Sequence, residues 1–147
     1  MFIKPNLSIQ PKHSLTIQNR KEAPYLDFIR NGTKKAEGRV NLHFFSKYSV
    51  GDTLQLHNRF EGILCEISFL HRYKNFEEMV TREGVENLVP HVVDSQLSNE
   101  ELIRKAVAVY KSFPGADRVS RFGALAIGVT YLHEYFKGKG FELRERA

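Results

Sequence analysis

The chain has 147 residues, of which 41% are hydrophobic, 27% charged and 12% aromatic. That is the size and composition of one globular domain and excludes a wholly disordered chain. A single cysteine, Cys65, excludes an internal disulfide framework and any CxxC redox or zinc motif, and no apolar run approaches the roughly 18 residues of a membrane helix. The opening residues lack the basic-then-apolar order of a secretory signal, so the expected address is the cytoplasm. The net charge of +5 is uneven. Residues 1–47 carry nine basic and three acidic side chains, residues 48–112 seven and ten, and residues 113–147 six and four. A basic first third beside an acidic middle fits a molecule with one positive face, which would attract phosphates in a salt-dependent way.

Residues 1–12 read as an arm or loose edge. Ser14-Leu15-Thr16-Ile17-Gln18 alternates apolar and polar and predicts a strand. Pro24 suits the first turn of a short helix whose buried face is Tyr25, Leu26, Phe28 and Ile29, with Gly32 as its stop. Residues 34–40 resume an extended form. Val50-Gly51-Asp52 is a turn into a strand at 53–57, and Asn58-Arg59-Phe60-Glu61 joins it as a hairpin to a strand at 62–70. Asn75 caps a helix with Glu78 placed to close a capping box, and Ser98 with Glu101 starts a second helix. Leu102, Ile103, Ala106, Val107, Tyr110 and Phe113 share one face of that second helix, which Pro114-Gly115 stops. Residues 123–132 form a last buried strand, and residues 133–147 read as a polar basic tail. The order lacks βαβ alternation and any repeat. It predicts one α+β domain over residues 13–132, with a mixed or antiparallel sheet curled into a small β-barrel and helices packed around it.

The sharpest local pattern is Gly32-Thr33-Lys34-Lys35-Ala36-Glu37-Gly38-Arg39. On an extended segment Lys35, Glu37 and Arg39 share one face, with Lys34 on the other unless the turn after Gly32 re-aims it. A glutamate between cations holds one of them and leaves another for a phosphate or a base. Arg118 and Arg121 could complete a positive cleft from the other end of the chain. Aromatic residues beside basic ones, at Phe44-Phe45, Tyr48 and Tyr73, are candidate stacking surfaces. Tyr110 lies on an apolar face, yet its hydroxyl needs a partner. The six histidines, at 13, 43, 57, 71, 91 and 133, show no pairing at i+2 to i+4. No Walker loop, HExxH or G-x-S-x-G is present, so neither metal nor cofactor is expected. Cys65 sits in an apolar run and reads as a small buried hydrophobe.

With these residues together, the chain resembles the ASCH domain family of the PUA-like superfamily. The family signature G-x-K-x-x-E-x-R stands here as Gly32, Lys34, Glu37 and Arg39. The helix before it, the Gly51-Asp52 turn, Tyr73 through Met79, Tyr110 and the strand at 124–127 follow in the family's order. The resemblance implies a β-barrel with a signature-lined cleft that binds RNA or nucleotides. Gly32, Lys34, Lys35, Glu37, Arg39, Tyr110, Arg118 and Arg121 are the expected ligand-binding residues, with Lys34 the cation nearest the ligand. Some relatives are small amidohydrolases on a modified nucleoside, and others are reported to cleave RNA. Carried over, such a hydrolase would use Lys34 and Glu37, although the family's threonine nucleophile is replaced by Glu37. Ser68 stands where its later carboxylate would be, with Glu66 two residues earlier. The first expectation is a binding module and the alternative is that hydrolase. A third is a protein adaptor that docks through the helices of residues 75–113.

Overall fold

Leu54 and Leu56 point inward from Thr53–His57 and are fully buried, while Thr53, Gln55 and His57 alternate to the other side. That period-2 pattern makes β3 in the computed structural model, which describes residues 10–138. The strands are β1 (His13–Thr16), β2 (Ala36–Val40), β3 (Thr53–His57), β4 (Glu61–Tyr73) and β5 (Ala124–Lys137). They form one sheet in the order β1-β3-β4-β5-β2. β1 runs parallel to β3, and all other pairs are antiparallel. β4 and β5 form a long ribbon whose register shifts at three places, and such irregularities bend and twist paired strands.

The helices are α1 (Tyr25–Arg30), α2 (Phe76–Glu83), α3 (Val85–Leu88), α4 (Asn99–Lys111) and α5 (Val119–Phe122). The expected stops and caps are physical. Gly32 adopts a positive φ of 80° and its N–H donates to the Ile29 carbonyl, closing α1. The Asn75 side chain accepts the Glu78 N–H at 2.8 Å, but the Glu78 carboxylate reaches the Lys74 N–H instead of closing the box on Asn75. At α4 the box is complete, with Ser98 and Glu101 bonding reciprocally. One core cluster extends from Leu15 to Val129 and takes in residues of every strand and of α1 through α4. It includes Cys65, whose thiol burial pushes up to about 12. No helix among the described residues is long and apolar enough to cross a membrane.

Two expectations need correction. The sheet is α+β and mixed, but it is not closed into a barrel: among the described residues no ladder joins its edge strands β1 and β2. The gap is spanned by a side chain, since Arg39 Nη2 on β2 donates to the Thr16 carbonyl at the end of β1, at 2.5 Å. The second correction concerns the tail. Residues 133–137 are not a tail but the end of β5, paired with β4 as far as Glu61. The polar letters misled because Glu134 is neutralised by Arg30, while Tyr135 and Phe136 are buried against Leu64. Residues 1–9 of the expected arm, and 139–147 of the tail, lie outside the described residues. Lys12 is already tied to β3, its N–H donating to Thr53 Oγ1.

Replacing Ser98 by Ala removes the reciprocal cap of α4. We expect a loss of about 1 kcal/mol in urea unfolding with an unchanged m-value; an unaltered midpoint would show that the cap is redundant.

Candidate functional site

The site begins at the turn after α1. The Lys34 N–H donates to the Phe28 carbonyl and the Lys35 N–H to the Asn87 carbonyl, so the chain is clamped between α1 and α3 before β2 starts. Lys34 therefore precedes the strand alternation and points inward, 1% exposed. Its Nζ donates to the Ala36 carbonyl at 2.7 Å and the Leu88 carbonyl at 2.5 Å, and pairs with Glu37 Oε1 at 3.2 Å. The ammonium also lies 4.9 Å from the centre of the Tyr25 ring. Three donors meet three acceptors, so the cation is saturated by the protein. Glu37 is 7% exposed. Its Oε2 accepts from Arg39 Nε at 2.9 Å and Nη2 at 2.8 Å. A carboxylate has about four lone-pair sites, so one remains open after these three contacts.

Burial alone would raise the Glu37 pKa, but the Lys34 ammonium and the Arg39 guanidinium hold it below the ordinary carboxylate value. Burial draws the Lys34 pKa down, against the pull of Glu37. The pair is an ionised triad with Arg39. The Tyr25 and Tyr110 hydroxyls are buried beside it and complete no hydrogen bond. Gln18 stands beside the first and the Gly38 backbone beside the second, without good bonding geometry. Burial and the Glu37 charge raise both phenol pKa values, so both are neutral donors. Gly38 is required here: a Cβ would lie 2.7 Å from Met79 Cε and from the Tyr110 ring and hydroxyl.

These groups line a cleft of about 1150 Å³. β2 contributes Glu37, Gly38 and Arg39, and Lys34 lies just before them. Tyr110, Phe113 and Arg118 come from α4 and the segment after it, and Phe76 stacks on Tyr110 with ring centres 5.3 Å apart. Phe44 and Phe45 come from the short 3-10 turn His43–Lys47. Further wall comes from Thr16 to Gln18, Gln55, His57 to Arg59, Tyr135 and Phe136.

Of the expected ligand residues, the fold brings Lys34, Glu37, Arg39, Tyr110 and Arg118 to the cleft. Lys34 is not the free cation expected there, because its donors are used internally. Gly32 shapes the turn and does not line the cleft. Lys35 is exposed on another side, its Nζ bonded to the Gly32 carbonyl, so it does not share the Glu37 face. Arg121 is also outside the cleft, its guanidinium 5.1 Å from the centre of the Phe122 ring. Tyr48 instead stacks on His13 at 3.9 Å, and Tyr73 bonds to Glu83. Glu66 and Ser68 are exposed and do not line the cleft.

Tyr25, Gln55, His57, Arg59 and Phe136 escaped the sequence reading. For Tyr25 the signal was a phenol on a buried helix face, which needs a partner. For Gln55 and His57 it was the polar side of an alternating strand. Among the described residues no group of three or more His, Cys, Asp or Glu could hold a metal.

Against known families, residues 21–133 match the ASCH domain. A search of curated proteins finds no match. Among solved structures, the crystal structure of the hypothetical protein PH0355 is 27% identical, with a TM-score of 0.66, covering 82% of this chain and 98% of its own. The solution structure of protein PF0455 from Pyrococcus furiosus is 24% identical, with a TM-score of 0.60, covering 84% and 98%; that likeness speaks for the fold alone.

Removing Lys34 leaves the Glu37 charge buried with a single partner. Lys34→Met should destabilise the protein by about 3–5 kcal/mol in urea unfolding. Glu37 predicts an acid limb. Its folded pKa lies below the ordinary 4.5, so its contribution is complete above about pH 4.5 and is lost as pH falls through the depressed value. A pH series of unfolding free energies should show a shallower acid limb for Glu37→Gln; an unchanged limb would count against the ionised triad.

Proposed function

The chain belongs to the ASCH domain family, and on that footing we propose that its cleft binds RNA or a nucleotide, with a base as the inserted group. The observation that carries this is a set of unsatisfied polar atoms inside an aromatic wall. The Tyr25 and Tyr110 hydroxyls are neutral donors without partners, and Glu37 keeps one open lone pair. A buried polar atom left unpaired costs free energy, about 1–3 kcal/mol. A planar group with acceptors and a donor on its edge would satisfy them. Phe44 and Phe113, the exposed rings of the cleft wall, offer apolar surface for its faces. Arg118 lines the same cleft, and its guanidinium has no carboxylate partner among the described residues, which leaves it available to a phosphate.

A hydrolytic site is less well supported. A general base works best with a pKa near the operating pH, whereas Glu37 is held low by two cations. Lys34 has no donor left for an oxyanion. The exposed Glu66 offers no second carboxylate to the cleft.

The test is retention of labelled single-stranded RNA by the purified protein across a salt series, with strand integrity read in the same samples. We expect intact RNA and affinity that falls with salt. Arg118→Ala should weaken binding and lower the salt slope by about one. Tyr110→Phe, which keeps the ring and deletes the hydroxyl, should weaken binding about three- to tenfold. Absence of retention, or retention indifferent to both substitutions, would overturn the reading; shortened strands would transfer it to the hydrolase.

A further inference from the structure

We infer that the cleft takes single-stranded RNA across two adjacent subsites, and that the turn joining β3 to β4 builds the second one with Arg59, Phe60 and Phe136. This rests on the RNA reading of the same cleft and extends it from a single nucleotide to a strand. The first observation is size. At about 1150 Å³ the cleft exceeds the roughly 300–1,000 Å³ of small-molecule sites. The second is a division of chemistry along its length. Glu37 and Gly38 face Ile127 and Ala126 across the sheet, whereas Phe136 lies nine residues beyond Ile127 on the same strand. One end is ionised and phenolic. The other carries Gln55, His57, Arg59 and Phe136, with no carboxylate among the residues that line the cleft there.

The turn is held in shape before any ligand arrives. Asn58 Oδ1 accepts the Phe60 N–H at 2.8 Å and the Glu61 N–H at 3.1 Å, and the Asn58 N–H donates to the Glu61 carbonyl at 2.9 Å. The Gly138 N–H ties the Phe60 carbonyl to the end of β5 at 2.9 Å. This frame presents the Phe60 ring 55% exposed, with the Arg59 guanidinium 5.9 Å from its centre. Arg59 has no carboxylate partner among the described residues. An exposed ring beside a cation with no carboxylate partner among the described residues, on a hydrogen-bonded turn whose Arg59 lines the cleft, suits a base stacked on the ring and its phosphate on the guanidinium. A strand offers that pair at each nucleotide, and a free nucleotide seated in the deep end does not reach it.

The test compares a fluorescein-labelled RNA tetramer of mixed sequence with unlabelled 5′-mononucleotides as competitors, by fluorescence anisotropy at fixed salt. The tetramer should bind at least tenfold more tightly than the mononucleotides. Phe60→Ala should remove most of that difference, in the range expected for one base–aromatic stack, with competition by mononucleotides unchanged. Arg59→Ala should weaken the tetramer and reduce its salt slope by about one. Circular dichroism melting of both variants should match wild type, since both side chains are exposed. If the tetramer gains nothing over mononucleotides, or if both variants keep full tetramer affinity while Arg118→Ala weakens it, the second subsite is wrong and the deep site stands. If neither tetramer nor mononucleotide binds, the underlying reading falls with it.

Discussion

A saturated, buried ammonium organises this molecule. Lys34 could remain charged in the interior only if each of its three N–H groups found an acceptor, because an isolated buried charge is far too costly. Those acceptors come from three places: the Ala36 carbonyl at the start of β2, the Leu88 carbonyl at the end of α3, and Glu37. The lysine thus joins the turn after α1 to an edge strand and to a helix 54 residues away. It also fixes the carboxylate around which the cleft is built. From there the charges continue outward in order, from Glu37 to Arg39 and from Arg39 to the Thr16 carbonyl on the far edge of the sheet.

That outward chain explains how an open sheet can hold a cleft. Had β1 and β2 paired directly, backbone groups would have satisfied one another and left no seam. Instead one guanidinium bridges the edges, and the remaining space is lined by side chains from both. The cleft keeps two phenols without partners, which a purely structural design would avoid. Gly38 allows Tyr110 and Met79 to approach β2 closely enough to form that wall. The signature residues thus form a supporting frame for the cleft. Lys34 ties the turn to β2 and α3, Glu37 holds both cations, and Arg39 spans the two sheet edges.

A second ion network ties α1 to the β4–β5 ribbon. Arg30 from α1 reaches Asp27, Glu61 at the start of β4 and Glu134 near the end of β5. Tyr131 adds a hydrogen bond to Glu134 at 2.6 Å. Its phenol is pushed up to about 12 by burial and by that carboxylate. These contacts hold the far end of the long β4–β5 ribbon against α1. The β3–β4 turn and Phe136 are therefore placed by a helix that is distant in sequence from β5. The sheet thus has two separate electrostatic anchors, and α1 touches both.

The sequence by itself determined the features whose physics is local. Alternation identified β3 and the hairpin, Ser98 with Glu101 marked the start of α4, Gly32 marked the stop of α1, and the ordered signature pointed to the family. The strand, hairpin and helix-end signals each depend on residues close together in the chain, whereas the family resemblance rests on features ordered along most of it. Tertiary structure decided which way the signature faces. Face alternation holds only inside a strand, and Lys34 and Lys35 lie before β2 begins, where contacts with Phe28 and Asn87 set the backbone. It also decided that β5 runs to Lys137 through polar residues, because its partner β4 begins at Glu61 and Arg30 neutralises Glu134. Finally it decided that the sheet stays open. Strand closure is a property of how five strands curl together, and no segment of the chain encodes the distance between β1 and β2 that Arg39 spans.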